Sequence, residues 1–227
     1  MKLKILNSII DKKKNKSEFA IITNLSSGES EIYEKGNTLS NDLKDYKNQI
    51  NEFLLFKKNG IVEGSEIFIE TYTLPVKVIV VGAVHITQYF VDFIKNFNFE
   101  ISIIDPRGYF ASKQRFPGIN IINKWPNDAF EEIETNENTA LIALTHDPKI
   151  DDKALQYALT KKFYYIGALG SKKTHEKRCQ RLRDAGYSEN QIKSIHGPIG
   201  IKLGGKSAPE IALSIIAQLV SETYNKR

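Results

Sequence analysis

Apolar residues along this chain change their period near residue 75. Before that point the pattern is mixed. Residues 19–22 are apolar and read as a strand, and residues 65–70 alternate polar and apolar with a period of two, as a half-buried strand does. Between them Leu43, Tyr46, Ile50, Phe53, Leu54 and Phe56 recur at mostly helical spacing, and Asn59-Gly60 supplies a stop, so a helix is expected over 41–58. After the Thr73-Leu74-Pro75 connection, strands and helices alternate. Val76–Val81 is β-branched except at Lys77, the signature of a strand buried on both faces. Further strands are expected at 99–105, 119–122, 139–145 and 163–166. Helices are expected after residue 84, at 127–134, at 151–160 and after residue 171. The last helix opens on Ser207-Ala208-Pro209-Glu210, a capping box with proline in the first turn. Ile211, Ala212, Ile215, Ile216, Leu219 and Val220 form its buried stripe.

Such alternation implies parallel βαβ units with right-handed crossovers. The fold expected is α/β: a Rossmann-type parallel sheet over residues 76–227, preceded by a smaller N-terminal α/β domain over residues 1–72. Composition adds exclusions. No run of about 18 apolar residues is present, which removes a membrane-spanning helix. The opening MKLKILNSIIDKKKNK has a short apolar stretch and no small-residue cleavage site, which points to a cytoplasmic protein. Cys179 is the single cysteine, so neither an internal disulfide nor a multi-cysteine zinc site can form. It reads as an ordinary helix residue, although Lys177, Arg178 and Arg181 beside it would favour a thiolate. Acidic and basic residues balance over 1–72, and the net charge of +5 belongs to the remainder. Lys172, Lys173, Lys177, Arg178, Arg181 and Arg183 cluster there, either as a solvated helix face or as an attractor for an anionic ligand or acidic partner. No nucleic-acid reader motif accompanies them.

In a doubly wound sheet the ligand lies beyond the carboxyl ends of the strands. Four ends here carry candidate chemistry. Gly82-Ala83-Val84-His85 keeps the first glycine of a dinucleotide fingerprint, but Val84 and Thr87 stand at the other two positions. Asp105-Pro106-Arg107 follows at close to the roughly 20-residue offset at which an acid meets a ribose hydroxyl, with Arg107 placed to contact a phosphate; a turn-capping Asp is the plainer alternative. Thr145-His146-Asp147 ends a hydrophobic strand. His146 beside Asp147 suggests a general base, but neighbours on extended chain point to opposite sides, and four scattered histidines offer no metal-ligand spacing. Gly167-Ala168-Leu169-Gly170-Ser171-Lys172 places glycines, a serine and lysines at a helix start, a plausible anion cradle without the Walker A spacing. The Gly- and Pro-rich stretch from His196 to Glu210 is a further loop suited to line a site.

Taken with Arg115-Phe116-Pro117, Asp151, Pro198-Ile199-Gly200 and the run from Pro209 to Ile215, these segments resemble the XdhC/CoxI family of molybdenum-hydroxylase maturation proteins over about residues 76–220. The resemblance implies an accessory protein without turnover that binds the molybdenum cofactor (molybdopterin), supports its sulfuration and delivers it to a xanthine dehydrogenase-like apoenzyme. It implies cofactor contacts at Gly82, Ala83, His85, Asp105, Arg107, Thr145, His146, Asp147, Gly167, Gly170, Ser171 and Lys172. A cysteine desulfurase and a second copy of the chain are the further partners it suggests; a membrane and nucleic acid are not. Three departures from the family pattern stand out. Val84 replaces a glycine, Gln218 replaces a usual glutamate, and residues 1–72 lack the cysteine of the family's glycine-rich stretch, of which Ser26-Ser27-Gly28 is a remnant. The N-terminal domain is therefore read as shortened. An NAD(P)-dependent oxidoreductase, suggested by Gly82 and Asp105, and a nucleotide-binding regulatory protein are the alternative readings.

Overall fold

The computed structural model describes residues 3–225, and the chain divides after Leu74 into two compact units. Residues 1–2 and 226–227, the outer limits of the expected domains, lie outside the described residues. The first unit contains α1 (Leu3–Lys14), β1 (Phe19–Asn24), β2 (Ser30–Tyr33), a 3-10 helix at Asn41–Tyr46, α2 (Lys47–Phe56), β3 (Gly60–Ile61) and β4 (Ile67–Tyr72). Its strands form an antiparallel sheet in the order β2-β1-β4-β3. The pleat of β1 sorts its side chains between two covers. Ala20 and Ile22 pack with Ile50 of α2, while Phe19 and Ile21 pack with Ile9 of α1. The helix expected over 41–58 is a 3-10 turn followed by a shorter α-helix. It stops before Asn59-Gly60 because Lys57 adopts a left-handed conformation (φ 53) and caps it through its N–H to Leu54 and Phe53 oxygens. Asn59 instead accepts the N–H of Thr71 at 2.7 Å.

The second unit runs β5 (Val76–Val81), α3 (His85–Ile94), β6 (Phe99–Ile104), β7 (Asn120–Ile122), α4 (Pro126–Ala129), β8 (Thr139–Ala143), α5 (Pro148–Leu159), β9 (Tyr165–Ala168), α6 (Lys172–Asp184), α7 (Glu189–Lys193), β10 (Ile195–His196) and α8 (Ala208–Asn225). All six strands are parallel, in the order β10-β9-β8-β5-β6-β7. The chain starts in the middle with β5, builds outward through β6 and β7, then returns to β8 and builds the other half. The reversal lies between β5 and β8, and there the loops after adjacent strands part to opposite sides, opening a crevice. Both faces of the sheet are covered. Val76, Val78 and Val80 of β5 point into a core shared with Phe90 and Ile94 of α3 and with Ala212, Ile215 and Leu219 of α8. Ile79 and Val81 point the other way, into a core with Ile150, Ala154 and Leu155 of α5 and Leu182 of α6. Burying each such side chain stabilises the unit by roughly 1.5–3 kcal/mol, which is why β5 is apolar except at Lys77 near its start.

Several helix limits differ from expectation for local reasons. α5 begins at Pro148, three residues earlier than the apolar pattern suggests, because Asp147 caps it by accepting the N–H of Lys149 and proline fits the first turn. The helix expected over 127–134 is a single turn, Pro126–Ala129, opened by proline after Trp125. At α8, Glu210 reaches back to the N–H of Ser207 at 2.9 Å and to its hydroxyl at 2.6 Å, the return arm of the expected capping box.

One glycine fixes the centre of this unit. Gly82 has φ +115, and a Cβ there would lie 2.8 Å from Cγ2 of Thr145 and 3.1 Å from its backbone N. The turn after β5 therefore approaches the end of β8 backbone to backbone. Gly82→Ala is expected to destabilise the unit by about 2 kcal/mol or more through combined backbone strain and contact. A lowered thermal midpoint in the fluorescence of Trp125, the only tryptophan, would register it; an unchanged midpoint would contradict the close approach.

Candidate functional site

The carboxyl ends of β5, β6, β8 and β9 form one rim. At β5 the backbone groups of Gly82 and Ala83 all have partners. The N–H of Gly82 donates to the oxygen of Ile104, and the N–H of Ala83 donates to Oδ2 of Asp105 at 2.8 Å. The hydroxyl of Thr87 donates to the Gly82 oxygen at 2.5 Å, and Nη1 of Arg115 donates to the Ala83 oxygen at 2.8 Å. Thr87, fully buried, thus stands where a third glycine is usual and ties the helix to the turn by its hydroxyl. Val84 is the N-cap residue of α3 and supplies no side-chain cap. His85 is exposed, with Nδ1 3.3 Å from Oε1 of Gln88 and its ring edge-on to Tyr89.

At the end of β6 the Asp105 carboxylate is completely buried and receives four donors. Ala83 N–H and Arg107 Nη2 reach Oδ2, while Arg107 N–H and Nε reach Oδ1, all within 2.9 Å. Burial alone would push this carboxyl up, but the Arg107 hydrogen bonds, with that of Ala83, outweigh it and hold the group below the usual carboxylate range. The structure thus gives Asp105 a clasping role, with both oxygens engaged inside the protein. Arg107 keeps a partly exposed edge, stacks over Phe110 at 4.9 Å, and is held charged by Asp105 first, with weaker help from Asp147 and Asp151.

The end of β8 folds into a second knot. Asp151, at the start of α5, is buried and accepts the hydroxyl of Thr145 at 2.6 Å and the N–H groups of Thr145 and His146 at 3.1 Å. His146 takes a left-handed conformation (φ 62) with its ring exposed. Asp147 turns away to cap α5, so His146 and Asp147 do not form a pair. At β9 the glycines serve packing. A Cβ on Gly167 would collide with the side chain of Ile199, and one on Gly170 (φ +147) would meet Thr174 at 2.9 Å. Ser171 is the N-cap of α6, its hydroxyl accepting the N–H of Thr174, and Lys172 is exposed on the first turn. The loop after β10 is pinned to α8 by Gln218, whose Oε1 accepts the Tyr165 hydroxyl and the Gly200 N–H, both at 2.7 Å. Burial pushes the Tyr165 hydroxyl well up, so it stays a neutral donor.

The rim therefore sorts the expected residues. Gly82, Ala83, Asp105 and Arg107 come together in one clasp with Thr145 against it, whereas His146 and Ser171 line a separate cavity between the loops after β8 and β9. That cavity holds a residue that the sequence hides inside its basic cluster. Arg178 is 2% exposed; Nη2 donates to the Leu169 oxygen at 2.9 Å, while Nε and Nη1 have no hydrogen-bond partner. Its nearest carboxylate, Asp151, is 3.9 Å away. Burial pushes the Arg178 guanidinium down and the Asp151 carboxyl up, each partly offset by the other. The available signal was spacing: Arg178 falls four residues before Leu182, on the inner face of α6, where an apolar residue is the norm. Cys179 is half-buried with Sγ 3.5 Å from His175 Nε2, and burial pushes its thiol up despite Arg183 and Arg178. It fits the ordinary helix residue. Among the described residues no group of three or more His, Cys, Asp or Glu is placed to hold a metal ion, and no helix is long and apolar enough to cross a membrane.

Six parallel strands with a central reversal and a polar carboxyl rim define a Rossmann-type domain. Residues 78–219 match the XdhC Rossmann domain, well over half of the chain, and the protein belongs to the XdhC family. It is 37% identical over 102 residues to the molybdenum cofactor insertion chaperone PaoD of Escherichia coli K-12, covering 45% of this chain and 31% of that protein. It is 25% identical over 123 residues to a probable xanthine dehydrogenase subunit of Bacillus subtilis, covering 54% and 35%. These matches span about a third of each relative's length. A crystal structure of a xanthine dehydrogenase from Bacillus halodurans shares the fold with a TM-score of 0.72 at 22% identity, over 99% of this chain and 65% of that one.

Asp105→Asn is expected to lower stability by about 2 kcal/mol at neutral pH, since it weakens charge-assisted hydrogen bonds at a buried site. The folded carboxyl lies below its unfolded value of 3.8, so the wild-type advantage is complete above that pH and fades as pH falls through the depressed folded value. Denaturant unfolding of both proteins from neutral to acid pH checks this, with the gap between them closing only at the acid end.

Proposed function

We propose that this protein is a cytoplasmic maturation factor that holds the molybdenum cofactor as cargo, supports its sulfuration and hands it to a xanthine dehydrogenase-like molybdenum hydroxylase. The observation that carries the reading is family membership over residues 78–219 together with a relative named as a molybdenum cofactor insertion chaperone. The geometry supports binding rather than turnover. The rim offers exposed imidazoles at His85 and His146, the partly exposed Arg107 and the α6 start at Ser171 and Lys172, while its buried carboxylates are engaged internally. The orphaned guanidinium nitrogens of Arg178 fit cargo that carries a phosphate. The contacts proposed for the cargo are these groups, on a scaffold set by Gly82, Ala83, Asp105, Thr145, Asp147, Gly167 and Gly170.

The apoenzyme is the proposed partner, a cysteine desulfurase the proposed sulfur source, and a homodimer the proposed assembly. Residues 1–72 are proposed to be a shortened form of the family's N-terminal domain. An NAD(P)-dependent role finds less support. A ribose would need a free acceptor on Asp105, and both of its oxygens already hold two donors each.

Protein purified from a molybdopterin-producing host is expected to retain a pterin with its characteristic fluorescence, and loss of the protein should lower molybdenum hydroxylase activity in its host. Absence of pterin from the purified protein, with hydroxylase activity intact after deletion, would reject the reading. Tight calorimetric binding of NAD or NADP with turnover would replace it.

A further inference from the structure

The cavity between the loops after β8 and β9 has a volume of about 230 Å³ and is lined by His146, Asp151, Asp152, Lys173, Lys177, Arg178 and Arg181, among others. That is below the roughly 300–1,000 Å³ of a site for a whole drug-sized ligand, so it suits the head of a ligand rather than its body. Its charges can be followed singly. Asp152 is held by Arg181 through Nε at 2.5 Å and Nη2 at 3.0 Å. Asp151 is engaged by Thr145 and His146 on one side and lies 3.9 Å from Arg178 on the other. Four cationic side chains thus face two carboxylates, and the exposed Lys173 and Lys177 carry the excess. The positive end of α6, capped by Ser171, adds to it.

An excess of positive charge would by itself be a solvated helix face. Arg178 separates the two cases. A guanidinium that is 2% exposed and leaves Nε and Nη1 without partners is unfavourable in an empty protein, since each buried donor has lost water and gained nothing. Packing does not require an arginine there, because a leucine or methionine on the inner face of α6 would fill the space with no polar group to satisfy. Nε and Nη1 lie on different edges of the guanidinium, each beside Nη2, so either can give a phosphate oxygen a charge-assisted hydrogen bond, and lysines beside them add point charge.

We propose that this cavity is a phosphate site that takes the dianionic phosphate of a monoester, with Arg178 as its buried anchor and Lys173 and Lys177 as its rim. The site stands apart from the turn after β5, where a dinucleotide fold ordinarily holds phosphate. It deepens the cargo-binding reading above and rests on that reading only for the rest of the ligand. The phosphate chemistry rests on the cavity.

Calorimetric titration of the full chain at low ionic strength, with inorganic phosphate and with phenyl phosphate as probes, tests it. Saturable binding of phenyl phosphate is expected at one site, at least as tight as that of inorganic phosphate. Arg178→Met should weaken it by about tenfold or more, and the surface pair Lys173→Ala with Lys177→Ala by about tenfold together. Lys162→Ala, outside the cavity, should leave it unchanged. The lysine variants keep the test decisive if Arg178→Met fails to fold. Absence of saturable binding by the wild-type protein, or binding that survives the lysine substitutions, overturns the proposal. Phosphate binding that follows these variants in a protein that carries no pterin upholds the site and removes the cargo reading.

Discussion

The carboxyl edge of this domain depends on one buried anion. Asp105 is fully enclosed, and an enclosed carboxylate is tolerable only when its oxygens are filled by donors. Two of those donors are the arms of Arg107, and the others are backbone N–H groups of Arg107 and Ala83. One group therefore joins the turn after β5 to the end of β6 and holds the loop that follows. Arg115 completes the fastening by donating to the Ala83 and Phe110 oxygens and to Gln88. With the turn held, Gly82 can sit against Thr145 closely enough that no side chain fits between them. Thr145 in turn closes on Asp151. The two halves of the sheet meet through this chain of contacts, and its rigidity positions every exposed group on the rim.

The strands of this fold were legible because burial on both faces leaves little choice of residue. Val78–Val81 and Ala140–Ala143 are apolar throughout, with Lys77 and Thr139 near the entry ends of their strands, and both stretches read as buried strands. Elements with fewer residues to commit were not legible. α1 mixes its apolar side chains with lysines and buries only Ile9, and β3 and β10 are two residues long. α7 is five residues long and has a capping box, Ser188 with Gln191, but too little apolar pattern to stand out. Helix ends followed caps rather than periodicity, as at Lys57 and Asp147, because the unsatisfied backbone groups of a helix end are settled by local partners.

At the rim, positions were legible and partners were not. The order of segments placed these residues at or near the carboxyl ends of the strands, since that follows from the topology, although β9 runs on through Gly167 and Ala168 and β8 stops at Ala143. What each polar residue does there depends on which partner it meets, and that partner lies anywhere from two positions away, as for Asp147 with Lys149, to 22, as for Ala83 with Asp105. Asp105 reads in sequence as either a ribose acceptor or a turn cap, and in structure its Oδ1 accepts the Arg107 N–H as a turn cap does while Oδ2 clasps the turn after β5. Asp147 reads in sequence as a candidate cofactor contact at the end of a strand, and in structure its side chain caps α5. Arg178 reads as one more charge in a basic helix and is its inward-facing member.

The contrast between Asp105 and Arg178 explains how a turn without the second and third fingerprint glycines can belong to a ligand-binding domain. At β5 the Gly82 and Ala83 N–H and carbonyl groups all have internal partners. Val84 and Thr87 occupy the positions through which a dinucleotide phosphate would approach. Closing that entrance stabilises the centre of the sheet, but it removes the usual place where backbone N–H groups meet an anion. At β9 the balance is opposite. The backbone is closed by packing glycines, yet a buried guanidinium retains two donors that no protein atom satisfies. A domain with one strand end closed and charge unsatisfied at another places the proposed phosphate site elsewhere along the same edge. The parallel sheet permits this, because every strand delivers its loop to that edge.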